Sequence, residues 1–297
     1  MKKIICVLLT VMMMAGVLVG CGGDTDENSV TIGSKQFTEN ILLAEMYAQL
    51  IENFTDINVE RRLNLGGTTV IFSALMSGEV DIYPEYSGTA FNELLRHEFE
   101  GIDSDEIFRI ATEGLYAEYE ITMFGPIGIN NTFAVAMLRN KAEELGIVTM
   151  SDLAEVSGDL RFAAHHLFFT RSDGFPRMIE VYEMAFAEEL RMDRALLYDA
   201  LAQGQLDVIE VFSTDSQLKV HDMVVLEDNL GMFPAYHASV IARNDVLNSF
   251  PELREVLNLL ENRITDVRMQ ELNYEVDINN RNPADVAREF LQELGLI

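Results

Sequence analysis

Four aromatic residues stand where the chain is expected to turn or to cross between two halves of a fold: Tyr86, Phe133, Phe212 and Tyr236. Each ring alone is typical of core packing. Together, such rings can enclose a cation without hydrogen-bond donors, because the ring quadrupole attracts a quaternary ammonium while its methyl groups gain hydrophobic contact. Each ring contributes about 0.5–2 kcal/mol when desolvated. We therefore predict that these four residues form a cage around a methylated cation.

Three polar residues could hold an anionic group beside that cage, namely Lys35, Thr89 and Arg171. If they converge, they bind a carboxylate through charge-assisted hydrogen bonds, and the Arg171 guanidinium can do so in a bidentate way. The alternatives are a surface lysine, a helix-capping threonine and a salt bridge from Arg171 to Asp173. The excess of acidic residues makes that salt bridge a serious competitor, so both interpretations stay open.

Two similar segments are expected to position part of this set. Residues 63–91 read LNLGGTTVIFSALMSGEVDIYPEYSGTAF, and residues 196–216 read LLYDALAQGQLDVIEVFSTDS. The second segment aligns to the first without gaps at an offset of 126 positions, so that Ala200 matches Ala74. Each predicts a helix ending at a glycine, then a short strand and an aromatic residue. We interpret the repeat as two lobes of related design, although short helix–glycine–strand matches also arise by chance.

In the first of these segments, the predicted strand covers residues 81–83 and is closed by Pro84. Residues 86–89 then fall on a loop at the carboxyl end of the strand. In open α/β sheets, ligands bind at that edge.

The remaining pattern predicts an α/β fold of two lobes. Strands at 30–32 and 57–59 flank a helix with Thr38 as its N-cap, which implies parallel pairing with right-handed crossovers. Segments 128–139 and 232–243 predict two strands that cross between the lobes and act as a hinge.

These crossings divide the mature chain into a discontinuous lobe 1, residues 29–130 plus 236–297, and a lobe 2, residues 131–235. Helices are predicted at 253–264 and 267–276. A last helix is expected to begin with Asn282 as its N-cap and Pro283 in its first turn.

The N-terminus has the layout of a secretory signal peptide over residues 1–20, with two lysines followed by an apolar run too short for a comfortable membrane span. Leu18-Val19-Gly20-Cys21 resembles a bacterial lipobox, which makes Cys21 the predicted lipidation site. The alternative is an ordinary signal peptide with an incidental cysteine. Residues 21–28 form a polar tether. Since Cys6 would be removed with the leader, no intramolecular disulfide and no cysteine metal site are expected.

Charge and missing motifs exclude several function classes. The formal net charge is -28, and it becomes -30 once Lys2 and Lys3 leave with the signal peptide, so nucleic acid is not an expected partner. Neither phosphate-binding glycine motif occurs, nor HExxH, nor GxSxG. His165 and His166 are adjacent, and on a strand they would point to opposite faces, so no metal is expected. We expect no cofactor and no enzymatic activity.

These motifs resemble the substrate-binding proteins of osmoprotectant ABC importers, the glycine betaine, carnitine and choline binding family. The matching segments run in the family's order over nearly the whole chain and are IGSKQFTENILLAE, LNLGGTTVIFSALMSGEVDIYPEYSGT, INNTFAVAM, FFTRSDGF, DVIEVFSTD, FPAYHASVIAR, MQELNYEVD and NPADVAREFLQELGLI.

The resemblance implies a two-lobe, type II periplasmic-binding-protein fold with the ligand cleft between the lobes. It also implies an aromatic cage, usually of tyrosines, formed by Tyr86, Phe133, Phe212 and Tyr236. It implies carboxylate ligands at Lys35, Thr89 and Arg171, and a backbone carbonyl offered by Asn131. The family pattern prefers tyrosine where this chain has Phe133 and Phe212. Because two phenylalanines lack the hydroxyl groups of tyrosine, we predict that this site binds its ligand more weakly, or accepts a broader range of ligands, than a site with four tyrosines.

At Thr89, choline-restricted members carry an acidic residue, so the threonine favours a zwitterion over choline.

The expected protein is a monomeric, lipid-anchored receptor on the outer face of the cytoplasmic membrane. It would capture a quaternary-ammonium osmolyte such as glycine betaine and pass it to a permease driven by a separate ATPase. The first alternative is a receptor for choline, carnitine or an amino acid on the same fold. An enzyme or a sensory module is the second alternative, and the sequence supports it less well.

Overall fold

The computed structural model describes residues 28–99, 102–171 and 173–297, which contain two five-stranded sheets. The predicted signal peptide, Cys21 and the tether up to residue 27 lie outside the described residues. The strands of the first sheet fall within the ranges predicted for lobe 1, and those of the second within the range predicted for lobe 2.

The first sheet has strand order β2-β1-β3-β10-β4, with β1, β2 and β3 parallel and β10 antiparallel to both β3 and β4. Its strands are β1 (Ser29–Gly33), β2 (Asn58–Arg62), β3 (Ile82–Tyr86), β4 (Ile121–Met123) and β10 (Ala238–Arg243). The helices of this part are α1 (Thr38–Phe54), α2 (Thr68–Ser77), α3 (Ser87–Thr89) with a π-turn (Ala90–Leu94), α4 (Ser104–Tyr119), α10 (Asn244–Ser249), α11 (Leu253–Val256), α12 (Asp266–Asp277) and α13 (Pro283–Glu293).

The second sheet is built in the same way, with order β7-β6-β8-β5-β9. Its strands are β5 (Phe133–Leu138), β6 (Arg161–Ala164), β7 (Glu188–Arg191), β8 (Val208–Phe212) and β9 (Met223–Val225). The helices are α5 (Arg139–Leu145), α6 (Met150–Val156) with a 3-10 turn (Ser157–Asp159), α7 (Phe175–Tyr182), α8 (Arg194–Ala202) and α9 (Gln217–Val220).

Each sheet is covered by apolar side chains on both faces, as expected when crossover helices pack on both sides of a mainly parallel sheet. One core of the first sheet gathers around α1, whose Leu42, Leu43 and Met46 are fully buried, and another lies under α2. Two further cores flank the second sheet. The α/β fold class predicted from the sequence is confirmed by this arrangement and by the structural matches given below.

The sequence repeat corresponds to equivalent structural units. α2 leads into β3 beside β1, and α8 leads into β8 beside β6. Gly78 and Gly204 end the two helices in a left-handed conformation, with φ of 77° and 69°. Asp81 accepts a hydrogen bond from the backbone N–H of Thr31 (2.8 Å), and Asp207 accepts one from the backbone N–H of Arg161 (3.0 Å). The two aspartates therefore tie each repeat to the neighbouring strand in the same way.

The two repeat glycines differ in their surroundings. A Cβ added at Gly78 would lie 2.3 Å from Nη1 of Arg243, whereas a Cβ at Gly204 would meet nothing within 4 Å. Because the guanidinium of Arg243 is the end of a flexible side chain and can move away, the backbone conformation is the requirement for glycine at both positions.

Several predicted boundaries are wrong. Pro84 does not close the strand, since β3 continues to Tyr86 and Ser87–Thr89 is helical. Pro84 is tolerated because β3 is paired with β1 only at Ile82, so the side of β3 toward β1 needs no N–H donor further along. The N-cap of α1 is Phe37, and the Thr38 hydroxyl donates to Asp277 instead.

The crossing segments are less regular than predicted. Strand structure in 128–139 begins at Phe133, and in 232–243 it begins at Ala238; an isolated antiparallel bridge, between Asn130 and His237, precedes them. The helix predicted over 253–264 ends at Val256 and continues as turns. The last helix begins as predicted, because the Asn282 side chain accepts from the N–H of Ala284.

Candidate functional site

A cavity of about 480 Å³ lies between the carboxyl ends of the β3 and β8 strands, and all eight residues predicted to contact ligand line it. A volume of this size is typical of small-molecule sites. These eight residues are Lys35, Tyr86, Thr89, Asn131, Phe133, Arg171, Phe212 and Tyr236. Residues that the sequence places up to about 200 positions apart therefore share one cavity.

The four predicted cage rings reach this cavity from different elements. Tyr86 ends β3 and Phe212 ends β8, while Phe133 begins β5 and Tyr236 precedes β10. Phe133 and Phe212 are cross-strand partners and stack with ring centroids 5.3 Å apart. Phe133 also packs on the fully buried Phe168, so it belongs to a core and to the cavity wall at once.

Three of these rings already lie near a cationic side chain of the protein. Nζ of Lys35 is 5.2 Å from the Tyr86 centroid, Cζ of Arg171 is 5.3 Å from that of Phe133, and Cζ of Arg194 is 3.9 Å from that of Phe212. A ligand cation must therefore share these rings or displace the side chains.

Lys35 forms a buried ion pair. Its ammonium lies 2.5 Å from Oε1 of Glu85, and the two side chains are 5% and 0% exposed. Glu85 also accepts hydrogen bonds from the Tyr83 hydroxyl (2.9 Å) and from the backbone N–H of Tyr86 (2.8 Å). Because an ammonium carries three donors, this pairing leaves Lys35 able to donate to a ligand as well.

Arg171 forms the salt bridge that competed with the clamp interpretation. Its Nε and Nη2 donate to the two carboxylate oxygens of buried Asp173, at 2.8 and 2.7 Å. Burial lowers the pKa of Arg171. Its hydrogen bonds to Asp173, together with the charges of Asp173, Tyr236 and Glu93, outweigh burial, so the pKa lies above the usual value. The Tyr236 hydroxyl donates to Asp173 (2.5 Å) and accepts from Arg171 (3.1 Å), while Nη1 of Arg171 reaches Glu93 at 3.3 Å. Arg171 thus connects the two halves of the cleft.

A buried carboxylate lies behind Tyr86. Oε1 of Glu39 accepts from the Tyr86 hydroxyl (2.7 Å) and from Nδ2 of Asn131 (2.8 Å). Burial raises the Glu39 pKa, and the surrounding hydrogen bonds only partly oppose this. Burial and the Glu39 charge together raise the Tyr86 pKa. The phenol therefore stays protonated and serves as a fixed donor.

Across the cleft, Arg194 is held over Phe212 by acidic neighbours. Its Nη2 donates to the fully buried Glu210 (2.8 Å), and Asp215 lies 3.9 Å from Nη1. Burial raises the pKa of Glu210, and the charge of Arg194 opposes that rise. Around the three cations Lys35, Arg171 and Arg194, acidic side chains outnumber basic ones. These acidic side chains are Glu39, Glu85, Glu93, Asp173, Glu210 and Asp215. Burial raises the pKa of Glu39, Glu210 and Asp215, so the excess of negative charge is smaller than the excess of acidic groups.

Helix α12 closes one side of the cleft against the loop after β8. Gln270 donates to the carbonyl of Ser213 (2.8 Å), and Asn273 donates to that of Thr214 (3.0 Å). Ser216 donates to Asp277 at 2.9 Å. These contacts join α12, from the range predicted for lobe 1, to a loop in the range predicted for lobe 2.

Sequence reasoning missed several residues that line the cavity. Thr214, Asp215 and Ser216 directly follow Phe212, so the rule that ligands meet the carboxyl ends of strands could have found them. Phe37 and Glu39 belong to the quoted motif at the start of α1, and the Phe37 ring lies 6.0 Å from that of Tyr86. Asn273 and Asp277 belong to the quoted segment MQELNYEVD, whereas the cleft residues Glu93 and Arg194 lie outside every quoted segment.

The histidine pair behaves differently from the prediction. His165 and His166 follow β6 rather than lying in it, and their rings are in contact with centroids 4.4 Å apart. Over 28–99, 102–171 and 173–297, no group of three or more His, Cys, Asp or Glu side chains is placed to hold a metal ion.

Over the same ranges, no helix has the length and apolar character needed to cross a bilayer.

With the cleft described, comparison with known proteins identifies its family. Residues 28–293 match the substrate binding domain of ABC-type glycine betaine transport systems. The chain belongs to this family. It is an osmoprotectant-type substrate-binding protein, and such proteins work outside the cytoplasm, binding solutes for import rather than catalysing a reaction.

Two curated relatives show how the similarity extends. The chain is 33% identical over 273 residues to the ergothioneine transport permease/ergothioneine binding protein EgtU of Helicobacter pylori, covering 91% of this chain and 48% of that protein. It is 30% identical over 302 residues to the carnitine transport binding protein OpuCC of Listeria monocytogenes, covering 99% of this chain and 97% of that one. The chain thus spans about half of the first relative and nearly all of the second.

Solved structures agree on the fold. A crystal structure of a glycine betaine/carnitine/choline ABC transporter protein matches with a TM-score of 0.85 and 32% identity, covering 90% of this chain and 99% of that one. Apo YehZ of Escherichia coli matches with a TM-score of 0.78 at 24% identity, covering 91% and 99%. The predicted type II binding-protein fold is confirmed.

Proposed function

We propose that this binding protein captures a quaternary-ammonium osmolyte such as glycine betaine in the cleft and delivers it to an ABC permease that is driven by a separate ATPase. The observation that carries the proposal is the convergence of Tyr86, Phe133, Phe212 and Tyr236 on one cavity. Aromatic faces attract a methylated ammonium without asking it to donate hydrogen bonds.

In the proposed complex, the ligand carboxylate is held by Lys35, Thr89 and Arg171, and Asn131 contributes its backbone carbonyl to the cation. Both basic side chains are engaged, with Glu85 and Asp173, but each keeps further N–H donors for a ligand. Thr89 supports a zwitterionic ligand over choline, because a threonine, unlike the acidic residue of choline-restricted family members, does not repel the carboxylate of the ligand. Closing the lobes on the ligand would bring both sets of contacts together, so the ligand would stabilise the closed state.

The second candidate is a receptor for another small cationic or zwitterionic solute on the same fold. Two observations favour keeping it. The H. pylori relative is named for ergothioneine and the Listeria relative for carnitine. In addition, Phe133 and Phe212 replace the tyrosines of the family pattern, which removes two hydroxyls from the cage.

A thermal-shift and calorimetry panel tests both candidates. The ligands are glycine betaine, proline betaine, carnitine, choline, ergothioneine and histidine. Saturation at about 100 times Kd stabilises the folded protein by roughly 2.7 kcal/mol, which a thermal scan detects. No shift with any of the quaternary amines would remove the proposed function, whereas a shift with histidine alone would favour an amino-acid receptor.

A matched pair of variants tests the cage itself. Phe212→Ala removes a ring that lines the cavity, and Phe186→Ala removes a partly buried ring that does not. We expect the first to weaken binding of the preferred quaternary amine by about 2- to 30-fold, the equivalent of about 0.5–2 kcal/mol, and the second to leave Kd unchanged. Equal effects of the two variants would contradict the cage.

We further propose that Cys21 is lipidated and holds the protein on the outer face of the cytoplasmic membrane as a monomer. Mass spectrometry of the mature chain from its native membrane tests this, with Cys21→Ser as the control. An unmodified N-terminus at residue 21 would leave an exported protein without the anchor.

A further inference from the structure

Two residues that line the cavity each carry a buried side-chain oxygen without a hydrogen-bond partner among the described residues. These oxygens are Oε2 of Glu39 and Oδ1 of Asn273. Their side chains are only 2% and 5% exposed. Buried polar atoms are nearly always paired, so an unpaired acceptor on a cavity wall marks a place where a ligand group completes the network.

The rest of each side chain is fixed, which holds these oxygens in place. Oε1 of Glu39 is taken by the Tyr86 hydroxyl and by Asn131, and Nδ2 of Asn273 is taken by the carbonyl of Thr214. The two residues lie on α1 and α12, which pack against each other. Burial raises the pKa of Glu39, and the nearby side chains of Thr214 and Asn273 only partly oppose this rise; neither completes a hydrogen bond to Oε2.

Both free oxygens are acceptors when Glu39 is ionised, so the group that pairs with them must be a donor. A third atom on this wall without a hydrogen-bond partner among the described residues, Nη1 of Arg194, is itself a donor and suits an acceptor such as a ligand carboxylate. A trimethylammonium has no N–H or O–H, and neither does the carboxylate of glycine betaine at neutral pH. Glycine betaine in this cleft would leave both oxygens unpaired, whereas a quaternary amine with a hydroxyl or a ring N–H could pair at least one. An unpaired buried acceptor penalises the ligand that lacks the donor much more than a missing apolar contact does.

We propose that Glu39 and Asn273 form a donor-recognition subsite beside the aromatic cage, so that the protein selects quaternary amines bearing an O–H or N–H group over those without one. This rests on the proposed function and specifies its substrate class. The aromatic cage and the carboxylate-binding residues do not by themselves distinguish quaternary amines with an O–H or N–H group from those without one. The oxygens of Glu39 and Asn273 add the two hydrogen-bond acceptors that would make this distinction.

The test compares ligands that differ in this donor. Carnitine carries a hydroxyl that its deoxy analogue γ-butyrobetaine lacks, ergothioneine carries ring N–H groups, and glycine betaine has none of these. Isothermal titration calorimetry of the full chain with each ligand should show at least one donor-bearing ligand binding about tenfold or more tightly than both donor-free ligands. The carnitine and ergothioneine arms distinguish a hydroxyl from a ring N–H as the recognised group.

Variants then assign the preference to the subsite. Because Glu39 also holds Tyr86 and Asn131, Glu39→Gln is expected to weaken every quaternary amine to some extent. It should weaken the preferred donor-bearing ligand by about tenfold more than the donor-free ligands, the equivalent of about 1.4 kcal/mol. Asn273→Ala is a second variant that leaves the charge unchanged and should shift the same ratio. Glu45→Gln is the matched control, because Glu45 is a buried glutamate on the same helix that pairs with Arg61 and does not line the cavity. It should leave the ratio unchanged.

The outcomes separate this inference from the proposed function. If no quaternary amine binds, the proposed function itself is wrong. If glycine betaine and γ-butyrobetaine bind as tightly as carnitine and ergothioneine, or if Glu39→Gln weakens all four equally, the donor subsite is wrong while the osmolyte receptor stands.

Discussion

The buried pair of Lys35 and Glu85 gives the sharpest stability prediction. Changing Lys35 to methionine keeps the apolar stem but leaves the Glu85 carboxylate, which is 0% exposed, with only the Tyr83 hydroxyl and the N–H of Tyr86 as partners. Removing one partner of a buried ion pair typically costs about 3–5 kcal/mol, because the remaining charge stays desolvated and uncompensated.

That loss is large compared with the roughly 5–15 kcal/mol by which domains are stable. For 150–250 residues, each kcal/mol lowers Tm by roughly 2–4 °C, so Lys35→Met should melt about 6–20 °C below the wild type without ligand. The double variant Lys35→Met/Glu85→Gln removes both charges, and we expect it to recover most of this loss.

Urea unfolding of the ligand-free single and double variants measures these differences and their coupling. A loss below about 1 kcal/mol for Lys35→Met, or no recovery in the double variant, would refute the assignment of the pair as a buried structural charge pair. The double variant should also bind carboxylate-bearing ligands more weakly than the wild type if Lys35 contributes to the clamp, and calorimetry separates this effect from stability.

Three further predictions concern other parts of the molecule. Gly78→Ala and Gly204→Ala each force a left-handed alanine, which costs about 1–2 kcal/mol. At Gly78 the added methyl group displaces only the flexible end of Arg243, so chemical denaturation should show similar losses for the two variants; no loss for either would contradict the conformational requirement. Restoring the family tyrosines with Phe133→Tyr and Phe212→Tyr should tighten betaine binding by about 2- to 10-fold in calorimetry if each regained hydroxyl makes one hydrogen bond, and no change would show that these hydroxyls find no partner. The pKa of Glu39 is raised by burial, so the folded state holds this proton more tightly and loses stability as pH rises from the unfolded pKa through the folded one. Ligand-free Glu39→Gln should therefore gain Tm relative to the wild type at pH 7 and lose that gain near pH 4; a difference independent of pH would contradict the raised pKa.

Much of the site could be predicted because the informative residues sit next to strong local signals. Gly78 and Gly204 mark helix ends, and an aromatic residue follows each by the same spacing, so the sequence alone places Tyr86 and Phe212 at the ends of equivalent strands. The motif around Asn282 and Pro283 marks the start of the last helix in the same way.

The errors arose where long-range pairing overrides local preference. Proline usually ends a strand, but Pro84 stays within β3 because β10 pairs along that strand while β1 leaves it early. Thr38 has the right side chain to cap a helix, yet its hydroxyl is used by Asp277, which lies 239 positions away in the chain.

The sequence by itself determined the α/β class, the repeat and eight of the residues that line the cleft, since periodicity, glycine stops and motif order are local properties of the chain. Only the tertiary structure decided how those residues are paired. Lys35 lies against Glu85, Arg171 lies against Asp173, and one buried oxygen of Glu39 is left without a partner among the described residues. Charges and hydrogen bonds act over a few ångströms in space, and no spacing in the chain specifies which distant carboxylate will lie within that reach.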